Sequence, residues 1–285
     1  MYQIVSKKFL NPTVVQMEID SPFVAKKAKP GQFIILRVDE EGERIPLTVA
    51  GVNKEKGTTK IIFQVVGATT EKLKHKEEGE YIADFVGPLG TATHTEGIKK
   101  VCIIGGGVGC AIALPVAEEF HRLGAEVTSI IGFRNRDLVI LEDEFKAASN
   151  RFVIMSDDGS YGRQGNVTVP LKEMLEENKD QFDLIIAIGP LIMMKYVVLT
   201  AKPFNVPVTV SMNPIMIDGT GMCGGCRLSL IQDGKRVMKF ACVDGPDFNG
   251  YEIDFDEAMS RSRQYYDFER HAHEETCNLY KKEVK

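Results

Sequence analysis

The sequence has no excess of basic residues, and this absence excludes one broad class of function. Its 35 Lys and Arg residues stand against 40 Asp and Glu residues, so the formal net charge of the 285-residue chain is -5 at pH 7. A protein that binds nucleic acid gathers phosphates with a positive field. Nucleic acid is therefore not an expected partner.

The chain also has little that suggests export or a membrane. The N-terminus, MYQIVSKKFLNP, lacks the apolar segment of a signal peptide. We therefore expect a cytoplasmic protein, whose six cysteines are thiols, metal ligands or catalysts rather than disulfides. The most apolar stretch, Val101 to Ala117, is interrupted by four glycines and Pro115. It predicts a strand, a turn and the start of a helix rather than a membrane span.

The pattern of apolar residues changes twice along the chain, which predicts several modules. Residues 1–97 contain short β-branched and aromatic runs between Pro-, Gly- and Lys-rich turns, which favours an antiparallel barrel. In residues 98–212, strands alternate with amphipathic helices, which favours a doubly wound parallel sheet. A loop-rich cysteine module follows at 213–250, and residues 251–285 form a polar tail of helical pattern. The predicted fold class is thus a β barrel plus an α/β domain and a small C-terminal module.

The cysteine module contains the most informative spacing in the sequence. Cys223 and Cys226 form a C-x2-C pair, Cys242 follows, and Asp218 stands five positions before Cys223. The plant-type [2Fe-2S] loop has the spacing C-x4-C-x2-C with a distant fourth cysteine, and the same frame is present here with aspartate in the first place. Four glycines allow the loop to curl and to point amide N–H groups at an anionic cluster. They are Gly219, Gly221, Gly224 and Gly225.

Two alternatives for this loop remain open at the level of sequence. A C-x2-C pair is common to iron-sulfur and zinc sites, but zinc would need a fourth thiolate or imidazole ligand, and the module contains no histidine. Asp218 is either a carboxylate ligand, which should alter the potential of the cluster, or a cap that accepts backbone N–H groups in the turn.

A second motif, IIGGGVGCAIALP at residues 103–115, has the pattern of a strand that leads through a glycine turn into a helix. Free N–H groups and the positive end of the helix would then face a phosphate group. The motif departs from G-x-G-x-x-G, since Cys110 takes the third place. Two further loops follow predicted strands, where open α/β sheets bind ligands. The candidate nucleotide-binding residues are Gly105, Gly106, Gly107, Val108, Gly109, Asp157, Asp158, Gly189 and Pro190.

Two arginines and two barrel segments carry weaker signals. Arg134 and Arg136 are positioned either to hold a 2′-phosphate or simply to be solvated in a loop. The segments ERIPLTVAG and FQVVGATTEKL are, by themselves, strands and turns. The hydroxyl of Thr48 could donate to a flavin ring nitrogen, and the turn from Gly67 to Thr70 could offer donors to a pyrophosphate.

The order of these parts resembles the electron-transfer subunit of dihydroorotate dehydrogenase B, within the ferredoxin-reductase-like flavoprotein superfamily. The resemblance covers roughly residues 1 to 250. It rests jointly on PGQF, PLT, VVGATT, GPLG, GGGVG, DDGSYG, GP followed by MMK, CGGC and CVDGP. It implies that the first module binds FAD, the second NAD(H) and the third a [2Fe-2S] cluster.

Three positions depart from the family pattern. The arginine usually found three positions before the barrel Ser or Thr is replaced by Ile45, with Arg44 one place earlier, so pairing of Arg44 with the pyrophosphate is less secure. The cysteine that often precedes GP near the nicotinamide is Ile188. Asp218 replaces the first cluster cysteine. That substitution, with the longer tail, looks like the small subunits of NADH-dependent reduced ferredoxin:NADP oxidoreductases, the bifurcating enzymes also described as sulfide dehydrogenases.

This resemblance implies an oxidoreductase subunit that relays electrons between NAD(H), FAD and the cluster. The implied partner is a larger flavoprotein subunit with FAD and [4Fe-4S] clusters, where NADP(H) and ferredoxin react. Thr48 would act at the flavin, and Asp218, Cys223, Cys226 and Cys242 would bind the cluster. The other residues expected to contact FAD or the nucleotide in this way are Arg44, Pro46, Leu47, Gln64, Val65, Gly67, Thr69, Thr70 and Arg134.

Two other functions remain open from the sequence. One is the electron-transfer subunit of dihydroorotate dehydrogenase B itself, which would serve a catalytic pyrimidine subunit. The other is a zinc-stapled nucleotide-binding regulator without redox chemistry. In the tail, His271, His273, Glu274 and Cys277 could suggest a metal site, but we expect none, because histidines two residues apart point to different sides of a helix. We expect the tail to help bind the partner.

Overall fold

The N-terminal part of the chain is a nearly closed antiparallel barrel, as the sequence pattern predicts. We describe a computed structural model, which covers residues 1–178 and 181–283. The strands run in the order β6-β1-β2-β5-β4-β3-β7. Their bounds are β1 Tyr2–Asn11, β2 Val14–Asp20, β3 Phe33–Arg37, β4 Arg44–Asn53, β5 Thr58–Gln64, β6 Tyr81–Ile82 and β7 Asp84–Leu89, with helices α1 Pro22–Lys27 and α2 Ala68–His75.

Alternation of side chains builds the barrel core. In β2, Val15, Met17 and Ile19 are fully buried, while Gln16 and Glu18 between them are partly exposed. This is the period of two that a strand with one buried face requires.

The second part is a parallel sheet with helices on both faces. Its strand order is β11-β10-β9-β8-β12-β13-β16, so the order reverses between β8 and β12. The bounds are β8 Lys100–Gly106, α3 Cys110–Arg122, β9 Glu126–Phe133, α4 Glu142–Ala147, β10 Arg151–Ser156, β11 Arg163–Gln164, α5 Thr168–Glu177, β12 Leu184–Ile188, α6 Leu191–Ala201 and β13 Val208–Ser211. The run from Val101 to Ile104 is fully buried. A continuous apolar run is typical of a parallel strand covered on both faces.

The cysteine module is joined to this sheet rather than separate from it. Its bounds are β14 Arg227–Gln232, β15 Lys235–Phe240, α7 Ala241–Asp244 and β16 Asp247–Asn249. Strands β14 and β15 form an antiparallel hairpin, and β16 pairs antiparallel with β13, placing Asp247 opposite Ser211. The module therefore shares a hydrophobic core with the nucleotide-binding sheet, and this core includes Cys226 and Cys242 as well as Val210 and Met212.

The tail forms two helices, α8 Phe255–Ser262 and α9 Tyr266–Glu283. Helix α8 packs on the protein's own core, where Phe255 and Ala258 are buried. Lys195 of α6 donates to Asp256 at 2.7 Å and adds an ion pair to this contact. Helix α9 lies against α2 of the barrel. From the sequence, the tail was expected to have little apolar surface for a core. The structure differs from this expectation in α8, which buries two residues.

Helices in the described ranges are all too short or too polar to cross a membrane.

Candidate functional site

A large cleft opens at the carboxyl ends of the parallel strands. Its volume is about 760 Å³, which is within the usual range for ligand pockets. It lies at the point where the strand order reverses, between β8 and β12, which is where open α/β sheets bind dinucleotides. Of the candidate nucleotide-binding residues, the cleft is lined by Gly106, Gly107, Val108, Gly109, Arg134, Asp157, Gly189 and Pro190.

The glycine turn brings backbone to the floor of this cleft. A Cβ atom on Gly109 would lie 2.5 Å from the carbonyl oxygen of Ile188, so α3 packs directly on β12. Gly107 has a φ of +55°, which favours glycine. Gly105 lies deeper, since its Cβ atom would be 2.9 Å from the Sγ atom of Cys110. Cys110 therefore fills the space beneath the turn, which accounts for its presence in the third place of the motif.

Two predicted residues in the neighbouring loops lie outside the lining of the cleft. The carboxylate of Asp158 accepts hydrogen bonds from the hydroxyl and N–H of Ser160, at 2.6 and 2.9 Å, and these bonds hold its pKa below the usual range. The guanidinium of Arg136 lies 5.5 Å from the ring centre of Tyr161. Arg134 and Asp157 are thus the charged side chains that this loop pair brings to the cleft.

The barrel supplies one wall of the cleft, which sequence reasoning missed except for Gln64. The turn between β1 and β2 contributes Asn11, Thr13 and Val14. The Nδ2 atom of Asn11 donates to the carbonyl oxygen of Leu138 at 3.2 Å and so joins the barrel to the nucleotide-binding part. These residues lie far from the glycine motif in the sequence, and no local pattern marks them.

Helix α6 forms another wall, through Ile192, Met193 and Tyr196, which are not among the predicted site residues although the first two closely follow the predicted Gly189-Pro190 loop. A signal for it was present. The segment LIMMKYVVLTA is apolar all round, yet Ile192 and Tyr196 are 50% and 56% exposed. A helix that is apolar all round is normally buried, so exposed apolar residues on it indicate a contact with something else.

The two faces of strand β4 have different surroundings. Cross-strand pairing with β3 sets Thr48 opposite Phe33 and Pro46 opposite Ile35. Phe33 and Ile35 belong to the core shared with the cysteine module. Leu47 packs on the barrel core, so its side chain lies on the other face. A flavin on the Thr48 face would meet only the backbone of Leu47.

The hydroxyl of Thr48 is available for a ligand. It has no hydrogen-bond partner among residues 1–178 and 181–283, and the residue is partly exposed. Arg44 is on the same face of β4, two positions before Pro46. Its Nη2 atom lies 3.7 Å from the Oδ2 atom of Asp84, while Arg37 binds that oxygen at 2.6 Å and lowers the pKa of Asp84. Arg44 thus makes the weaker of the two contacts, and its side chain is 42% exposed.

The two threonine hydroxyls of the predicted pyrophosphate turn already have partners in the protein. The Oγ1 atom of Thr70 accepts from the N–H groups of Val66 and Gly67, each at 3.0 Å. The hydroxyl of Thr69 donates to the Oε2 atom of Glu43 at 3.0 Å. Val65, just before the turn, donates its N–H to Thr13. The first-turn N–H groups of α2, rather than the threonine hydroxyls, are therefore the donors a phosphate would meet.

The cysteine loop brings two thiols together and leaves a third exposed. The Sγ atoms of Cys226 and Cys242 are 3.1 Å apart and both residues are buried, whereas Cys223 is exposed. Burial and the neighbouring Cys226 raise the pKa of Cys242 to about 12. The N–H of Gly225 donates to the Sγ atom of Cys223 at 3.4 Å, and the N–H of Gly221 to the sulfur of Cys242.

Asp218 is bonded to the backbone of the same loop. Its Oδ1 atom accepts from the N–H of Thr220 at 2.5 Å, and its Oδ2 atom accepts from the N–H of Cys223 at 2.8 Å. These bonds lower the pKa of Asp218, so it is ionised at neutral pH. The Oδ1 atom also accepts from the hydroxyl of Thr220 at 3.1 Å, whereas the Oδ2 atom has a second lone pair that leaves room for a metal bond.

The donor set fits a two-iron cluster better than a single ion. In the described part of the chain, no three His, Cys, Asp or Glu side chains converge as a zinc ion would require. A [2Fe-2S] cluster instead takes its protein ligands as two on each iron. Cys226 and Cys242, whose sulfur atoms are 3.1 Å apart, would supply one such pair, and Asp218 and Cys223 would supply the other. In the tail, the side chains of His273 and Cys277 lie outside the described residues.

The cysteine loop packs directly on the barrel. A Cβ atom on Gly219 would lie 2.6 Å from Leu89 and 3.0 Å from Ile35. Ile35 is the cross-strand partner of Pro46. The loop therefore lies on the side of the barrel to which Pro46 and Thr48 are turned.

Comparison with known proteins gives consistent matches. Residues 213–254 match the model of the iron-sulfur cluster binding domain of dihydroorotate dehydrogenase B. The chain is 45% identical over 272 residues to a "dihydroorotate dehydrogenase B (NAD(+)), electron transfer subunit homolog" of Thermotoga maritima, covering 95% of this chain and 94% of the relative. It is 38% identical over 247 residues to a probable electron-transfer subunit of the same enzyme from Methanocaldococcus jannaschii, covering 86% and 87%.

Solved structures agree with these relatives. A structure described in connection with flavin-based electron bifurcation by the NADH-dependent reduced ferredoxin-NADP oxidoreductase matches with a TM-score of 0.89 and 44% identity, covering 96% of this chain and 97% of that one. The ferredoxin reductase of carbazole 1,9a-dioxygenase matches with a TM-score of 0.64 at 18% identity, covering 73% and 67%, which shows a shared fold.

Proposed function

Because the chain belongs to the family of dihydroorotate dehydrogenase B electron-transfer subunits and their homologues, we propose that it is an oxidoreductase subunit that carries electrons between NAD(H) and a larger partner. Its own redox groups are one FAD and one [2Fe-2S] cluster. FAD, when bound, exchanges a hydride with the nucleotide and single electrons with the cluster. The observation that carries the proposal is the packing of the cysteine loop on the barrel strands beside Thr48.

Each of the three modules binds one ligand. Residues 1–97 hold FAD, residues 98–212 hold NAD(H) and residues 213–250 hold the cluster. The Thr48 hydroxyl donates to the flavin ring, and the first turn of α2 faces the pyrophosphate. Arg44 supplies a positive charge on the same face of β4 as Thr48. The glycine turn from Gly106 to Gly109 offers backbone N–H groups to the nucleotide phosphates.

The partner is proposed to be a larger flavoprotein subunit with its own FAD and [4Fe-4S] clusters, to which NADP(H) and ferredoxin bind. The support is the match along 96% of this chain to a structure described for that bifurcating oxidoreductase. The surface around exposed Cys223 is apolar, since Ile217, Met222 and Val243 are 52%, 90% and 45% exposed. An exposed apolar surface of this kind indicates a protein contact. Helix α9, which lies against α2, is proposed to contribute a further contact with the partner.

A second candidate partner is the catalytic subunit of dihydroorotate dehydrogenase B. It is favoured by the match of residues 213–254 and by relatives that have that name. Purification of the tagged chain from its native cell, together with its bound partner, distinguishes the two candidate partners. A larger subunit with flavin and [4Fe-4S] clusters supports the bifurcating assembly, and a dihydroorotate-oxidising subunit supports the other.

The purified chain is expected to be yellow-brown. With iron and sulfide available, it should contain one FAD, two irons and two acid-labile sulfides per chain, because the barrel face and the four donors each define one site. Flavin, iron and sulfide analysis of the same sample measures all three. Stoichiometric zinc without labile sulfide would contradict the proposal and favour a zinc-stapled regulator.

We expect NADH to be preferred over NADPH. Asp157 lines the cleft together with Arg134, and its carboxylate opposes the gain that Arg134 would offer a 2′-phosphate. Flavin reduction by each nucleotide is followed by stopped-flow absorbance. NADH should bind at least about tenfold more tightly than NADPH, which corresponds to a free-energy difference of one charge interaction. Tighter binding of NADPH would show that attraction of the 2′-phosphate by Arg134 outweighs its repulsion by Asp157.

A further inference from the structure

A carboxyl group of the cysteine module reaches the edge of the nucleotide cleft. Asp247 begins β16, and its cross-strand partner in β13 is Ser211. Residues opposite each other in an antiparallel pair point to the same face of the sheet. The Oδ2 atom of Asp247 accepts from the hydroxyl of Thr93 at 2.6 Å. Thr93 lies in the connection between the barrel and the parallel sheet, so Asp247 pairs with the sheet through its backbone and with that connection through its side chain.

The other oxygen of Asp247 marks the site as unusual. The Oδ1 atom is buried and has no hydrogen-bond partner within the described residues. Burial raises the pKa of Asp247, and the hydrogen bond that Thr93 donates opposes that rise. A buried carboxyl oxygen without a partner is costly, and such groups in native structures usually have a reason.

Ser211 connects this carboxyl to the ligand. Ser211 and Asn213 line the cleft at the carboxyl end of β13. Arg134, by contrast, lines it at the end of β9, on the opposite side of the point where strand order reverses. A dinucleotide spans this point, with the adenosine ribose on the side of the strand that follows the glycine turn. The Ser211 end is therefore the end that receives the nicotinamide.

We propose that Asp247 is a positioning residue for the nicotinamide, an inference that rests on the proposed function. When the nucleotide is bound, the unpaired Oδ1 atom would accept a hydrogen bond from the hydroxyl of its cross-strand partner Ser211, which turns the Ser211 oxygen toward the carboxamide NH2 group that donates to it. The cysteine module thus contributes to the nucleotide site as well as to the cluster. The group recognised is a primary carboxamide on a ring, and the adenosine half of the ligand does not take part.

The test compares NAD+ with ADP-ribose, which lacks the nicotinamide, by calorimetry on the full chain with its cofactors. Ser211→Ala and Asp247→Ala should each weaken NAD+ binding about fivefold, the effect of one hydrogen bond, and leave ADP-ribose binding unchanged. The double variant should lose no more than either single variant, because both act on one contact. Asp256→Ala, an exposed carboxylate of α8, is the control and should change neither ligand.

The outcomes separate this inference from the proposed function. If Ser211→Ala, which removes only a hydroxyl, weakens both ligands alike or neither, the assignment of Asp247 is wrong. Additive losses in the double variant would also overturn it. If the unaltered chain binds neither NAD+ nor ADP-ribose, the proposed function itself fails.

Discussion

Replacement of Cys226 by serine is expected to remove the iron-sulfur cluster while the flavin remains bound. Cys226 is buried beside Cys242, with 3.1 Å between the sulfur atoms, so both belong to the same iron in the proposed ligand set. A serine hydroxyl is a harder and less acidic donor than a thiol, and because Asp218 already supplies oxygen to the other iron, the variant would retain only two protein thiolates for the whole cluster, which should then be lost. Labile sulfide should fall from two per chain to near zero.

The matched control is Cys102→Ser. Cys102 is also fully buried, but it lies in β8, among apolar residues of the nucleotide-binding core. This variant should retain the cluster, although the buried hydroxyl costs about 1–3 kcal/mol of folding free energy. Sulfide and FAD are measured together for both variants. Full iron and sulfide content in Cys226→Ser would remove Cys226 from the ligand set.

The second large effect is expected from Asp218→Cys. This change restores the four-thiolate frame, so the cluster should be retained, and its midpoint potential should fall by on the order of 100 mV. Clusters in which two neutral imidazoles replace two thiolates have potentials several hundred millivolts higher, and the shift expected here is smaller because a carboxylate has the same charge as a thiolate. A thiolate donates more electron density than a carboxylate and stabilises the oxidised irons.

Asp218 also caps the loop, and a second variant separates the two roles. Asp218→Asn keeps an oxygen that can accept the N–H of Thr220 or Cys223 but removes the charge of the ligand. If Asp218 binds iron, the asparagine variant should lose its cluster faster than the cysteine variant. Redox titration with paramagnetic resonance measures the potentials. An unchanged potential and spectrum in Asp218→Cys would show that Asp218 only caps the turn.

The motifs that sequence reasoning found are those whose chemistry lies within a few consecutive residues. The glycine turn was identifiable because a strand, three glycines and a helix follow one another, and the cleft forms around that turn. The fold class was identifiable because the period of apolar residues changes from two to the helical pattern near residue 98. Both the barrel and the parallel sheet are present as predicted.

What could not be predicted depends on residues that are distant in sequence. The bond from Thr93 to Asp247 joins positions 154 residues apart, and Asn11 reaches Leu138 across 127. Only the folded chain brings such pairs together. Other features could have been predicted from local sequence. Because strand side chains alternate, Leu47 and Thr48 cannot both face the flavin. The hydroxyl of Thr70 binds its own turn, and the hydroxyl of Thr69 donates to Glu43.

One anaerobic experiment tests the central claim that electrons pass from NADH through this chain to its cluster. NADH is added to the purified protein in excess, and the sample is frozen for paramagnetic resonance while flavin absorbance is followed in parallel. The account predicts that the flavin bleaches and that a signal from a reduced [2Fe-2S] cluster appears, up to one spin per chain. Bleaching of the flavin with a cluster that stays oxidised at every NADH concentration, yet is reduced by dithionite, would contradict it.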